Sequence, residues 1–220
     1  MNLKDFFKSV CENPNADIDL MVHKLNVYYV GRAYHNLQHV QECIRTFNLL
    51  ALKSDDLLDP DLIKLALIFH DVICTAGADD NEERSANLAD EWMKMLGLSA
   101  FDRDIVTVAI EMTSHSKTDF ELLLTSRERA LVYEISAIVC DCDLSILAAP
   151  KERFEEYERE IREEYKNIPY NIFCDKRAII MKRFLDRSRI YLTDEYYFAF
   201  EGKARKNLSK YELVTMPYEG

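Results

Sequence analysis

The run from Leu62 to Asp71 (Leu-Ile-Lys-Leu-Ala-Leu-Ile-Phe-His-Asp) constrains this chain most, because an almost fully apolar stretch ends in two polar side chains able to bind a metal ion. It is too short to span a membrane and too apolar all round for a surface helix, so it reads as the buried central element of a soluble domain. Burying a His and an Asp at its end is costly unless both are paired or bound to a cation. A mutual hydrogen bond would satisfy His70 and Asp71 if they stood alone. They do not: His35 and His39 come earlier in the chain, and Asp141 and Asp143 lie in a later apolar helix. Two imidazoles and two carboxylates from three buried elements suit a borderline or hard divalent ion with positions left for water, drawn from Mn, Fe, Co, Ni, Mg or Zn.

Composition narrows the fold around that stretch. A chain of 220 residues with only 5 Gly and 5 Pro has little punctuation for many short strands, which favours long helices and an all-α fold. A compact fold of this length buries roughly 70% of its unfolded surface, so a sizeable core is available. The formal net charge of -11 argues against binding a nucleic-acid duplex, yet leaves room for a small anion held by a few arginines. The 6 Cys are scattered through apolar segments without a Cys-x-x-Cys pair, as expected of reduced core residues in a cytoplasmic protein. No signal peptide or membrane span is expected.

Taken in order, Phe6, Phe7 and Val10 before Asn13-Pro14 predict a short first helix, and Leu20 to Val30 a second. Leu37, Val40, Ile44, Phe47 and Ala51 recur with helical spacing. If helical geometry already holds at His35, His35 and His39 stack on one face; if the helix begins later, His35 is a capping residue. Ser54 to Asp61 reads as a polar connection with Pro60 at its end. Asp80 and Glu83 have capping-box spacing, and the helix they open carries Ala86, Ala89, Trp92, Met93 and Leu96 as its apolar stripe. Glu82 falls on the inward stripe and Glu83 faces water. His115 ends a row with Ile105, Val108 and Met112. A helix from about Glu128 to Leu147 carries Asp141 and Asp143, acids that ask for a cation or an arginine. Beyond it, stripes of Phe154, Tyr157, Ile161 and Tyr165, of Phe173, Arg177, Ile180, Phe184, Arg187 and Tyr191, and of Ala204, Leu208 and Tyr211 continue in helices. Arg177 suits a partner for Glu163 or Glu164, or an anion clamp. The expectation is one domain over 1–220, with a metal-site core at about 20–147 and a helical extension at about 150–213.

The order His39, His70-Asp71, Asp143 resembles the metal set of the HD-domain metal-dependent phosphohydrolases. Tyr34-His35-Asn36-x-x-His39 and Cys142-Asp143-Leu144-Ser145 are also similar to segments of cyclic-nucleotide phosphodiesterases of that superfamily. With Phe69-His70-Asp71, Asn81-Glu82-x-x-Ser85-Ala86, Asp141-x-Asp143-Leu144, Arg162-x-Glu164-Tyr165 and Ala204-Arg205-x-Asn207-Leu208, nearly the whole chain resembles a bacterial group described only as predicted HD phosphohydrolases. The resemblance implies an HD-type helical bundle with His39, His70, Asp71 and Asp143 as metal ligands and His35 as proton donor. Two-metal members place further His residues after the His-Asp pair. This chain has Asn81-Glu82 near that point, which implies one ion, with His115 the remaining candidate for a second. The same gap brings Glu82 forward, since some single-metal members use a carboxylate in this region to orient water.

The function so implied is metal-dependent hydrolysis of a small phosphomonoester or phosphodiester, most plausibly of a nucleotide, with Asp141, His115 and Arg177 as supporting or substrate-binding candidates. The alternative is a non-catalytic sensor that binds a nucleotide or a metal in the same pocket. A third is a helical scaffold whose His and Asp residues are remnants of an ancestral site.

Overall fold

A computed structural model describes residues 1–50, 58–115 and 127–212. Every regular element among them is helical. The chain divides into two compact units, Met1–Asp143 and Leu144–Gly220, so the change of unit falls at Asp143, just before the change of character expected near residue 147. Ala51 and part of the Ser54 to Asp61 connection lie outside the described residues.

In the first unit, α1 (Leu3–Val10) and α2 (Ile18–Tyr29) pack together ahead of α3 (Leu37–Leu50) and α4 (Pro60–Phe69). They are followed by α5 (Asn81–Leu96), α6 (Ala100–Met112) and α7 (Arg127–Asp143). Helix α4 is the hub, with α3, α5, α6 and α7 against it. Its start combines Pro60 in the first turn with Asp59, whose carboxylate accepts from the Asp61 N–H. Ile63, Leu65, Ala66, Leu67, Ile68 and Phe69 are all fully buried, so apolar burial on every side holds α4 in the centre.

The α5–α6 corner turns at Gly97, whose φ of 94° satisfies the end of α5 by donating back to Met93 and Lys94. A Cβ there would come within 3.2 Å of the Asn13 nitrogen and of Glu12 Cβ. The chain after α1 crosses this point to donate from Glu12 and Asn13 to the Leu96 carbonyl. Glycine is thus required by both the torsion and the crossing.

Three local expectations are corrected. Asp80 precedes α5 without capping it, because its carboxylate turns to Arg84 at 3.5 Å. Asn81 instead staples the preceding loop, bonding both the nitrogen and the carbonyl of Thr75. The α-helix that carries Asp141 and Asp143 ends at Asp143 rather than at Leu147, and Leu144–Ala148 winds as a 3-10 turn.

In the second unit that turn packs against α8 (Lys151–Glu164) and α10 (Asp194–Leu208), and α10 also packs against α9 (Tyr170–Asp186). Its carbonyls are taken up by side chains: Tyr191 Oη donates to Leu144 and Asn207 Nδ2 to Leu147 and Ala149. Arg205 donates to the Leu185 and Arg187 carbonyls at the end of α9 and pairs with buried Glu201, which accepts from the Ile190 and Tyr191 nitrogens. Arg162 plays the same part after α8, donating to Tyr165 and Ile168. The third correction concerns α9, which buries Met181 and Phe184 and leaves Ile180 exposed.

Candidate metal centre

Helix α4 ends by delivering the two residues that follow it, His70 and Asp71, to one point. His70 still donates its backbone N–H to Ala66, and its Nδ1 donates to the Leu67 carbonyl at 2.9 Å, so Nε2 faces away from the helix. The chain beyond is held by Arg32, whose guanidinium donates to the Asp71 and Val72 carbonyls. Ser85 on α5 clamps the same turn, accepting from the Ile73 nitrogen at 3.0 Å and donating to its carbonyl. Tyr29 adds a buried hydrogen bond to the Ile68 carbonyl at 2.6 Å.

Helix α3 supplies His39 in its first turn. Asn36 starts that helix, its side-chain oxygen accepting from the Gln38 and His39 nitrogens. His39 Nε2 lies 3.2 Å from His70 Nε2, 3.1 Å from Asp143 Oδ1 and 3.5 Å from Asp71 Oδ2. His70 Nε2 lies 3.0 Å from Asp71 Oδ2 and 3.6 Å from Asp143 Oδ1. Four donor atoms from α3, α4 and α7 and the turn after α4 therefore converge.

These separations suit a cation. Donors bound at ~2.1 Å stand ~3.0 Å apart at right angles and ~3.4 Å apart at tetrahedral angles, and the five observed distances span that range. Without a cation the two Nε2 atoms, 3.2 Å apart, share one proton between them. Asp71 Oδ2 is buried and faces His70 Nε2 at 3.0 Å. A buried carboxylate oxygen in that state is costly unless a positive charge faces it.

The electrostatics agree. Burial pushes the Asp71 carboxyl upward, but the His70, His35 and His39 imidazoles outweigh it and hold the group below the usual carboxylate range. Burial also opposes ionisation of Asp143, and hydrogen bonds from His115, His39 and His70 hold it well below its ordinary value. His70 is driven down by burial and up by the two carboxylates, which win.

The sequence candidates divide as follows. His39, His70, Asp71 and Asp143 are brought together. His115 supports them, its Nε2 2.9 Å from Asp143 Oδ2. His35 precedes α3 in a turn, so helical stacking is not what places it, but its ring centroid is 6.3 Å from that of His39 and its charge acts on Asp71. Asp141 is fully buried on α7 but is not among the clustered residues. Glu82 is half-buried on α5, Glu83 is exposed, and Glu82 makes no hydrogen bond or ion pair with the described residues. Arg177 lies in the second unit, where its guanidinium pairs with Glu158 at 2.9 Å, and not with Glu163 or Glu164.

One member escaped the sequence reading. Cys43 is buried one turn after His39, and its sulfur joins His39, His70 and Asp143 in a group whose ligand atoms all lie within 4.8 Å of one another. Its i to i+4 spacing from His39 was the available signal. This buried His/Cys/Asp cluster could hold a metal ion. Among the described residues no helix is long and apolar enough to cross a membrane. Compared with known proteins, the chain matches no protein-family model and no curated protein.

Proposed function

We propose that this protein is a metal-dependent phosphohydrolase of the HD-domain type, acting on a small phosphomonoester or phosphodiester such as that of a nucleotide. The observation that carries the reading is the convergence of His39, His70, Asp71 and Asp143, with Asp71 Oδ2 buried at its centre. These four side chains would hold one divalent ion. When bound, such an ion supplies Lewis acidity, acidifying a water and neutralising charge on phosphoryl oxygens.

The remaining chemistry belongs to the chain. His115 fixes the Asp143 carboxylate, and Leu67 fixes the His70 tautomer. His35 stands beside the cluster without joining it, a position suited to giving a proton from its imidazolium to the leaving oxygen as the P–O bond breaks. All six cysteines are thiols, which suits a cytoplasmic location. The net charge of -11 favours a small mobile substrate over a nucleic-acid duplex.

The test is turnover across a panel of nucleotides and phosphoesters with each of Mn, Co, Ni, Mg and Zn, on protein whose metal content is measured. Turnover that depends on the ion is expected. Stoichiometric metal without turnover on any member would convert the reading to a sensor. In the active combination His35→Asn should retain the ion and lose about 10²- to 10⁴-fold in rate on alkyl esters, and much less on a nitrophenyl ester. Equal losses on both would remove the proton-donor role.

A further inference from the structure

We propose that Arg32 is a positioning residue that ties the proton donor His35 to the metal ligand Asp71 and so holds the two at a fixed distance; the proposal deepens the hydrolase reading above and rests on it. Residues 31–36 lie between α2 and α3, and Asp71 and Val72 follow α4, so the carbonyls of both segments stand outside the helical ladders and need donors from elsewhere. One guanidinium serves them. Arg32 Nη1 donates to the His35 carbonyl at 3.3 Å and to the Asp71 carbonyl at 2.5 Å, and Nη2 donates to the Val72 carbonyl at 2.9 Å. Because one nitrogen takes up both carbonyls, the main chain at His35 cannot move away from that at Asp71 without breaking one of these bonds.

The arginine is itself held in place. Its guanidinium carbon lies 5.3 Å from the centroid of the buried Tyr29 ring, whose hydroxyl donates to Ile68 near the end of α4. Its own carbonyl accepts from Asn36 Nδ2, which also takes up the Ala33 carbonyl and so closes the turn that carries His35. Two nitrogens of one planar guanidinium reach three carbonyls, a span that the single-point ammonium of lysine does not reproduce. In the proposed reaction water supplies the new P–O bond and its proton passes to solvent. The bonding pair of the broken P–O bond stays on the leaving oxygen, which takes the proton of the His35 imidazolium and leaves a neutral imidazole. A donor displaced by about 1 Å loses on the order of 10²-fold in rate, and only leaving groups that need the proton feel the loss.

The test sets Arg32→Lys beside His35→Asn, singly and together, on alkyl and nitrophenyl esters with the activating ion at saturation. Arg32→Lys should lose about 10- to 100-fold on the alkyl ester and far less on the nitrophenyl ester. In the His35→Asn background it should cost the two esters alike, because the donor that it places is gone. Chelator competition gives a readout apart from turnover. Arg32→Lys should weaken the ion's affinity by about 10- to 100-fold through the Asp71 turn, whereas His35→Asn leaves it unchanged. Equal losses on both esters in otherwise wild-type protein would overturn the tie to His35, and unchanged ion affinity the tie to Asp71, with the hydrolase reading left standing in either case. Wild-type protein that turns over no ester with any ion would overturn both. Should Arg32→Lys fail to fold, Arg32→Gln takes its place, and failure of the two would make Arg32 a purely structural residue and overturn the proposal.

Discussion

Asp143 carries the site because its two oxygens have different work. Oδ1 faces His39 and His70, while Oδ2 is held by His115. His115 sits at φ 51°, a left-handed conformation that costs a non-glycine residue on the order of 1 kcal/mol, and its charge-assisted bond to the half-buried Asp143 carboxylate works against that cost. Replacing Asp143 with Ala should abolish metal retention and lower the melting temperature of metal-loaded protein. His115→Ala should only weaken the ion's affinity, by about 10- to 100-fold, since it supports a ligand without being one. Competition against a graded series of chelators measures both, and equal losses would promote His115 to the ligand set. Glu82 and Glu83 make a second comparison on one helix turn, the first half-buried and the second exposed. Under the hydrolase reading Glu82→Gln should lower turnover with the ion retained, and Glu83→Gln should leave it unchanged. Equal effects of the two on turnover would take Glu82 out of the reaction.

Among the helices, α8 and α9 are tied by charge as well as packing. Glu158 on α8 accepts from Arg177 on α9, from Tyr211 at 2.7 Å and from Lys210, and Arg177 also lies over the Tyr157 ring at 4.8 Å. Burial raises Glu158 toward neutrality, but Arg177 and the Tyr211 hydroxyl outweigh it and hold the carboxyl below its ordinary 4.5. A carboxyl lowered in the folded state contributes stability above 4.5 that disappears as the pH falls through its folded value. Glu158→Gln should therefore cost about 1–3 kcal/mol at neutral pH by leaving Arg177 without its counter-charge, and progressively less in acid. Glu163→Gln, whose partner Lys166 is exposed, should stay within about 0.5 kcal/mol in thermal melts at both pH values. An almost unbroken apolar run disclosed α4, because a helix apolar on every side has to be buried, and Asn13-Pro14 marked the end of the first helix. Sequence periodicity missed Glu158 as the partner of Arg177 because ion pairs are chosen by tertiary packing among several nearby acids. It placed Ile180 inside where Met181 lies, since a stripe of Phe173, Arg177, Met181 and Phe184 has equally good helical spacing. The four converging donors were legible from their residue types at the ends of apolar runs. Arg32 and Cys43 were not, because one acts on backbone carbonyls distant in sequence and the other resembles any buried thiol.

For the molecule as a whole, the centre ties stability to pH and, under the metal reading, to ion binding. In chelated protein Asp71 and Asp143 are held below 3.8 and His70 above 6.5. The lowered carboxylates contribute stability above 3.8 that is lost as pH falls through their folded values. The raised imidazole contributes stability below 6.5 that is lost as pH rises through its own folded value. Stability of the chelated protein should accordingly be greatest between those limits and decline on both sides. Under the metal reading a bound divalent ion would replace the His70 proton as the charge facing both carboxylates, and ligation would require that proton to leave. Loading should thus add little in acid and increasingly more as the pH rises towards the raised folded value of His70, above which the chelated protein has lost the imidazolium. At a free concentration of 100 times its Kd the ion adds about 2.7 kcal/mol. Melting temperatures of chelated and Mn-loaded protein across a pH series test this, with the gap expected to widen from acid to alkaline. A gap that stays constant across His70 titration would mean that the ion does not displace that proton, and would move the metal away from His70.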